Sequence, residues 1–360
     1  MDHRPECTGG AGGVRGLRVP AVRLDRPLRG HLCGGGPGLL PRGAKNRRGA
    51  LSPSAVPVLD VVIVSYRCRE LLRQCLESLR SHPPAAGMNL IVVDNASGDG
   101  TAQMVASEFP EVELHARAEN LGFAAATNLG ARSGAAPYVL ALNPDTSVTP
   151  GALDTVLATI EAEPEVAVVG PRLLQPDGSL DHAARRSFPT PLSALGHFSG
   201  IGRRKGASGR LADYRAPGVE RGPVDSVNGA FMLIRRSAFE QLGGFDEGYW
   251  MYMEDLDLSY RLAEAGYVSW YEPDATVLHV KGGTTGGERS PRLNWAFHRG
   301  MYRFYRTHYA RERSPLLNAA IYAGIAVKLA AALAQSGLRR SRARLRQRRR
   351  SVEASVGGSG

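Results

Sequence analysis

Three apolar runs in this sequence end in side chains that bind or activate oxygen compounds. Residues 59–64 lead into Ser65-Tyr66-Arg67, and residues 88–93 into Asp94-Asn95-Ala96-Ser97-Gly98-Asp99-Gly100-Thr101. Residues 138–142 lead into Asn143-Pro144-Asp145-Thr146. In the last cluster the proline fixes the backbone between two oxygen-bearing side chains, which offers the Asp145 carboxylate to a hard divalent cation and its diphosphate partner. The same tripeptide also makes a good turn. Asp99 reads as a helix cap, because an Asp side chain satisfies the free N–H groups of the next helix. Asp94 stands too early for a cap and is expected to contact a ligand.

A second constellation follows in the other half of the chain. Glu254, Asp255 and Asp257 open a predicted helix that runs to Ala265, where carboxylates complement the helix dipole. They also follow an aromatic approach, Tyr249, Trp250 and Tyr252, that suits the wall of an acceptor pocket. A carboxylate at a helix start is well placed to act as general base on a hydroxyl. His279 ends an apolar run just before Lys281-Gly282-Gly283; a lone His is usually structural, but here it is a candidate metal ligand. Neither GxGxxG nor GxxxxGK[ST] follows the first run, which argues against a dinucleotide dehydrogenase and a P-loop ATPase.

These residues need elements to position them. Periodicity predicts strands at 59–66, 88–94, near 111–115, 138–142 and 165–170, alternating with helices at 69–80, 99–108, 123–133 and 150–163. That alternation implies an α/β domain with a mostly parallel sheet covered on both faces. In such sheets ligands bind beyond the carboxyl ends of the strands, where all three polar clusters fall. The 360 residues carry a net charge of +11, which raises a polyanion as partner. Residues 1–57 and 336–360 hold +7 each, however, leaving −3 for the body. A nucleic-acid-binding protein acting through its tails is therefore the weaker alternative, and no specific nucleic acid is expected. Such binding would survive loss of Asp145 and Asp255 and fall steeply with salt. The cysteines, Cys7, Cys33, Cys68 and Cys75, form no CxxC pair and suggest free thiols in a reducing compartment.

Taken in order, VVIVSYR, VVDNASGDGT, ENLGFAAATNLG, LNPD, VNGAFMLIRR, GGFDE, MEDLDLSYRL and LHVKGG resemble family 2 glycosyltransferases of the GT-A fold, particularly the bacterial rhamnosyltransferase-like group. The resemblance implies a Rossmann-like nucleotide-binding half fused to an acceptor-binding half around one mostly parallel mixed sheet, with helices after it. It implies inverting, metal-dependent transfer of a sugar from a nucleotide diphosphate to a hydroxyl of a cell-envelope glycan or lipid-linked saccharide. L-rhamnose from dTDP-rhamnose is the expected donor, and another dTDP- or UDP-sugar is the alternative. By the same resemblance Ser65, Tyr66 and Asp94 hold base and ribose, and Asn120 and Asn128 line the nucleotide pocket. Asn143 and Asp145 stand at the Asp-x-Asp position, with Asn143 in place of the first aspartate. Asp145 and His279 would ligate Mg²⁺ or Mn²⁺, Asp255 would be the base, and Glu254 and Trp250 would meet the acceptor.

The expected organisation is a disordered basic tail over 1–57, a catalytic domain over 58–310, an apolar helix over 311–335 and a disordered basic tail over 336–360. Within the domain, 58–170 is the nucleotide-sugar half, 171–223 a loop-rich insertion and 224–310 the acceptor half. The insertion carries Arg185-Arg186 and Arg203-Arg204-Lys205, a solvated loop by default or a site near a lipid diphosphate. Residues 316–334 approach the length of a membrane span but contain Asn318 and Lys328, which fits a helix lying on a membrane or packed on the domain. The arginine-rich segment after it points to an anionic membrane surface as partner. A cytoplasmic enzyme, peripheral at the inner face of the plasma membrane, is the expected localisation.

Overall fold

The computed structural model describes residues 57–181, 183–189, 220–280 and 289–357. The chain divides into two units, Met1–Leu51 and Ser52–Gly360, of which the first lies outside the described residues. The expected tail 1–57, most of the insertion and the glycine loop after Val280 also fall largely or wholly outside them.

The second unit is built on a nine-stranded mixed sheet. Its strands are β1 (Leu59–Ser65), β2 (Met88–Asp94), β3 (Glu113–Ala116), β4 (Tyr138–Leu142), β5 (Thr146–Val148), β6 (Val166–Leu174), β8 (Gly222–Val224), β10 (Phe231–Arg235) and β11 (Val268–His279). The remaining two, β7 (Arg185–Arg186) and β9 (Ser226–Val227), pair antiparallel with each other. The central order is β3-β2-β1-β4-β10-β6-β11-β5. Strands β3, β2, β1 and β4 are parallel, as the βαβ spacing requires, while β10 enters antiparallel between β4 and β6.

Burial explains why β1 reads as a nearly continuous apolar run. Leu59, Val61 and Ile63 join one core with Leu72, Leu76 and Leu79 of helix α1 (Arg69–Ser81). Val62 points the other way, into a core with Ala124 and Ala131 of α3 (Phe123–Ser133), Phe239 of α5 (Arg236–Gln241) and Leu258 and Leu262 of α6 (Glu254–Glu264). Alternate side chains thus feed two cores, and both faces exclude water. Helices α2 (Thr101–Glu108) and α4 (Ala152–Ala162) complete the first layer. Asp60 is the buried exception: it accepts from Asn89, the Ala136 N–H and Arg236, so its charge is fully partnered.

Two helices follow the sheet, α7 (Pro291–His308) and α8 (Pro315–Gly357). Leu317, Ile321 and Ile325 of α8 pack against Met301, Tyr305 and Tyr309, confirming one apolar stripe. The helix does not end near 335 as expected but continues to Gly357, across most of the stretch anticipated as a disordered tail. The physical reason is propensity: residues 338–356 contain neither Gly nor Pro and are rich in Arg, a good helix former.

Candidate active site

Strand register brings the first pair of functional groups together. Antiparallel pairing of β5 with the end of β11 sets His279 opposite Thr146, one residue from Asp145. The Asp145 carbonyl accepts the Val280 N–H at 2.8 Å, and His279 Nε2 lies 3.6 Å from Asp145 Oδ1. Both side chains are buried. The other ring nitrogen, Nδ1, lies 3.2 Å from Oδ2 of the fully buried Asp181. Burial works to lower the His279 pKa, but Asp145 and Asp181 outweigh it and hold the imidazole up at about 9.

The donor set would suit a divalent cation once the ring nitrogen facing Asp145 gives up its proton, because a ligating imidazole must be neutral. A carboxylate oxygen and an imidazole nitrogen face each other, and a carboxylate behind the ring fixes its orientation, the usual support of a metal-bound histidine. Among the described residues no group of three or more His, Cys, Asp or Glu is assembled to hold an ion. The protein side of such a site would therefore be sparse, a pattern that suits Mg²⁺, which usually keeps water and substrate phosphates among its ligands.

The second centre lies at the start of α6. Asp255 Oδ2 accepts from Arg186 Nη2 at 2.6 Å and from the Gly229 N–H at 2.9 Å, while Oδ1 accepts the Leu256 N–H at 2.7 Å. Gly229 permits this approach, since a Cβ there would stand 3.1 Å from Oδ2. Beside Asp255, Glu254 is buried, and among the described residues its Oε2 has no hydrogen-bond partner. Burial, reinforced by the Asp255 charge, pushes the Glu254 carboxyl up to about 8. Asp257 is different: Tyr249, His308 and Arg261 all bond its carboxylate, making it a structural hub.

A short turn joins the two centres. The Asn143 N–H donates to the Ala230 carbonyl at 2.9 Å, and the neighbouring Gly229 serves Asp255. A second connection escaped the sequence reading. Asp181 supports His279, Arg186 five residues later pairs with Asp255, and the Ala184 carbonyl between them accepts the Asn228 N–H. Both lie in the stretch anticipated as a loop-rich insertion; the Arg185-Arg186 doublet was its one visible signal. Arg185 stacks over Tyr271, with 4.7 Å between its guanidinium carbon and the ring centre, and Arg203-Arg204-Lys205 lies outside the described residues.

The expected nucleotide contacts divide into groups. Ser65 is fully buried against Cys68, and Tyr66 next to it is half-buried. Asp94 accepts the Ser97 N–H, so it shapes its own turn at the strand end. Asp99 accepts the Thr101 N–H at the start of α2, close to the capping role anticipated for it, but the N-cap position itself is Gly100 and Asp99 stands one residue outside it. Asn120 accepts the Gly122 N–H and an Asn95 amide proton, and Trp250 Nε1 reaches the Asn120 carbonyl at 3.5 Å. Asn128 departs from expectation: its amide donates to the Phe245 carbonyl and Glu247 and accepts the Phe245 N–H. Buried and engaged at both ends of its amide, it holds the Gly243-Gly244-Phe245 turn.

Left-handed backbone marks the same region. Among the described residues the non-glycine positions with positive φ are Arg67 and Ala96, after β1 and β2, and Tyr252 and Met253, directly before Glu254. Such conformations cost roughly 1–3 kcal/mol each and gather where function over-determines the backbone.

Comparison with known proteins decides the family. The family described as Glycosyl transferase family 2 matches residues 60–243. An N-acetylglucosaminyl-diphospho-decaprenol L-rhamnosyltransferase of Mycobacterium tuberculosis is 35% identical over 300 residues, spanning 80% of this chain and 96% of that protein. The chain belongs to glycosyltransferase family 2. This glycosyltransferase is also 30% identical over 295 residues to a pre-mycofactocin glycosyltransferase of the same organism, spanning 72% of this chain and 58% of that one. Among solved structures, GalNAc-T7 with UDP, GalNAc and Mn²⁺ aligns with a TM-score of 0.51 at 14% identity, covering 71% of this chain and 48% of that chain. The glycosyltransferase thus has the GT-A fold, and its likeness to the M. tuberculosis enzyme makes it rhamnosyltransferase-like.

Proposed function

We propose that this glycosyltransferase moves L-rhamnose from dTDP-rhamnose onto a hydroxyl of a lipid-linked saccharide diphosphate, with inversion, at the cytoplasmic face of the plasma membrane. The observation that carries this reading is the relative matched over 96% of its length, whose name specifies both the sugar and a diphospho-lipid acceptor. Ser65, Tyr66, Asp94, Asn120 and Asn143 are assigned to the donor side and Trp250 to the acceptor.

Asp145 and His279 would hold Mg²⁺ or Mn²⁺. When bound, the cation neutralises the negative charge that develops on the leaving diphosphate. Asp255 is assigned as the base. Its Oδ2 already takes two donors, whereas among the described residues Oδ1 takes one, the Leu256 N–H, and keeps a lone pair for the acceptor proton. Arg186 fixes the carboxylate's orientation. A single base, with attack opposite the leaving group, gives inversion. Burial and the Asp255 charge favour the neutral form of Glu254, which is assigned as a hydrogen-bond donor to the acceptor.

The test is a panel of dTDP- and UDP-sugars with Mg²⁺, Mn²⁺ or chelator and a lipid-linked acetylglucosaminyl diphosphate as acceptor. Nucleoside diphosphate release and labelled-sugar transfer are followed together. Metal-dependent transfer from dTDP-rhamnose with inverted anomeric configuration is the expected result. Transfer from a UDP-sugar in its place moves the assignment to that donor, and full activity in chelator removes the metal.

A further inference from the structure

Away from the carboxylates, α7 carries Arg299, Tyr302, Arg303 and Arg306 at spacings of three and four residues, which places them on one helical face. With Arg311 after the helix and Tyr322 of α8 they line a cleft of about 820 Å³. Arg303 is engaged by Asp246 through two hydrogen bonds of 2.8 and 2.9 Å. Arg299, Arg306 and Arg311 are exposed and make no ion pair among the described residues. Three guanidinium groups without counter-ions therefore border one concave surface, with two phenol rings beside them. Planar guanidinium forks match the oxygens of a phosphate group better than any other side chain does.

The cleft opens where an apolar helix begins. The most apolar window of Pro315–Gly337 has a mean hydropathy of 1.8, and 11% of it is buried. Ile321 and Ile325 face α7, whereas Leu316 and Val327 are 85% and 68% exposed. An exposed apolar helix beside a phosphate-shaped basic cleft serves the two ends of a lipid at once. A soluble anion would need only the cleft.

We infer that the cleft between α7 and α8 binds the phosphate headgroup of an anionic membrane lipid, seating the enzyme on the bilayer with the exposed face of α8 against the acyl chains. No residue assigned to donor, metal or base lines this cleft. The inference rests on the membrane-surface reading of the preceding section and adds a defined headgroup site to it.

The experiment compares the full chain with Arg306→Gln/Arg311→Gln in sedimentation with phosphatidylcholine vesicles, with and without phosphatidylglycerol. Because each arginine near an anionic surface adds to the attraction, the double variant is expected to bind the anionic vesicles at least about tenfold more weakly. A charge-matched control, Arg132→Gln/Arg172→Gln, is expected to bind like the parent protein. Thermal melting should be unchanged in both, because Arg306 and Arg311 are exposed. If the parent protein ignores the anionic vesicles, the membrane reading and this inference fall together. If the parent binds but the cleft variant binds equally well, or no worse than the control, the headgroup site alone is refuted. If calorimetry shows inorganic phosphate held in the cleft while vesicle binding does not depend on it, the ligand is a soluble anion and the lipid assignment is overturned.

Discussion

Replacing Asp255 by Asn tests the proposed base most directly, because the substitution keeps the shape and removes the proton acceptor. The structure indicates what else changes. If the Asn carbonyl oxygen keeps the Arg186 and Gly229 hydrogen bonds at the Oδ2 position, the amide nitrogen occupies the Oδ1 position and faces the Leu256 N–H. One buried donor then loses its acceptor, which costs roughly 1–3 kcal/mol of stability. The chemical step loses its general base, an effect of roughly 10²–10⁴ in rate. Donor binding should stay nearly intact, since the residues assigned to the nucleotide make none of these contacts. Single-turnover transfer of labelled sugar measures the first quantity, and calorimetry with the nucleotide sugar the second. A variant that keeps more than a few per cent of the transfer rate refutes Asp255 as base, and one that loses donor binding in parallel shows a general structural role.

Further outcomes follow from the same geometry. Glu254 has its folded-state pKa raised to about 8 from an ordinary 4.5, so its contribution to stability is full below 4.5 and is lost as pH rises through 8. Glu254→Gln should therefore gain on the parent protein between pH 5 and 9, by no more than roughly 5 kcal/mol, in urea unfolding at each pH; a constant difference across that range contradicts a carboxyl whose pKa is raised by burial. Asp181→Asn should weaken Mn²⁺ binding about 10–100-fold by electron paramagnetic resonance, as loss of a carboxylate behind a ligating His does. If His279→Ala lowers Mn²⁺ affinity and Asp181→Asn does not, Asp181 has no supporting role. Gly122 has φ +87°, and an added Cβ would stand 2.3 Å from the Trp250 carbonyl oxygen. Gly122→Ala should cost at least about 1–3 kcal/mol for a positive-φ, extended-ψ backbone that is essentially confined to glycine, and an unchanged urea midpoint would show that the loop before α3 can move away.

Much of this arrangement is legible in residue order. The strands of the first half declare themselves because both faces are buried, so their apolar runs stand out, and the polar residues that end them had to lie at the carboxyl edge. Glu254 and Asp255 are legible as acidic residues at a helix start. What sequence cannot supply is pairing over distance. Arg186 meets a residue 69 positions away and Asp181 one 98 positions away, through a two-stranded ladder too short to leave a periodic pattern. Asn128 misleads for the opposite reason: its motif position is right, but its amide is consumed by a turn 117 residues downstream. The extension of α8 was hidden because charge was weighed where helix propensity decided.

The connection from Asp181 to Arg186 has a thermodynamic corollary. One end touches the residue assigned to the cation and the other the residue assigned to the acceptor hydroxyl, and any coupling that this segment carries would link the two sites. Such linkage is reciprocal: if the cation with its nucleotide sugar raises acceptor affinity tenfold, about 1.4 kcal/mol, the acceptor must tighten cation and donor by the same factor. The affinity of each substrate then reports on the presence of the other before transfer takes place.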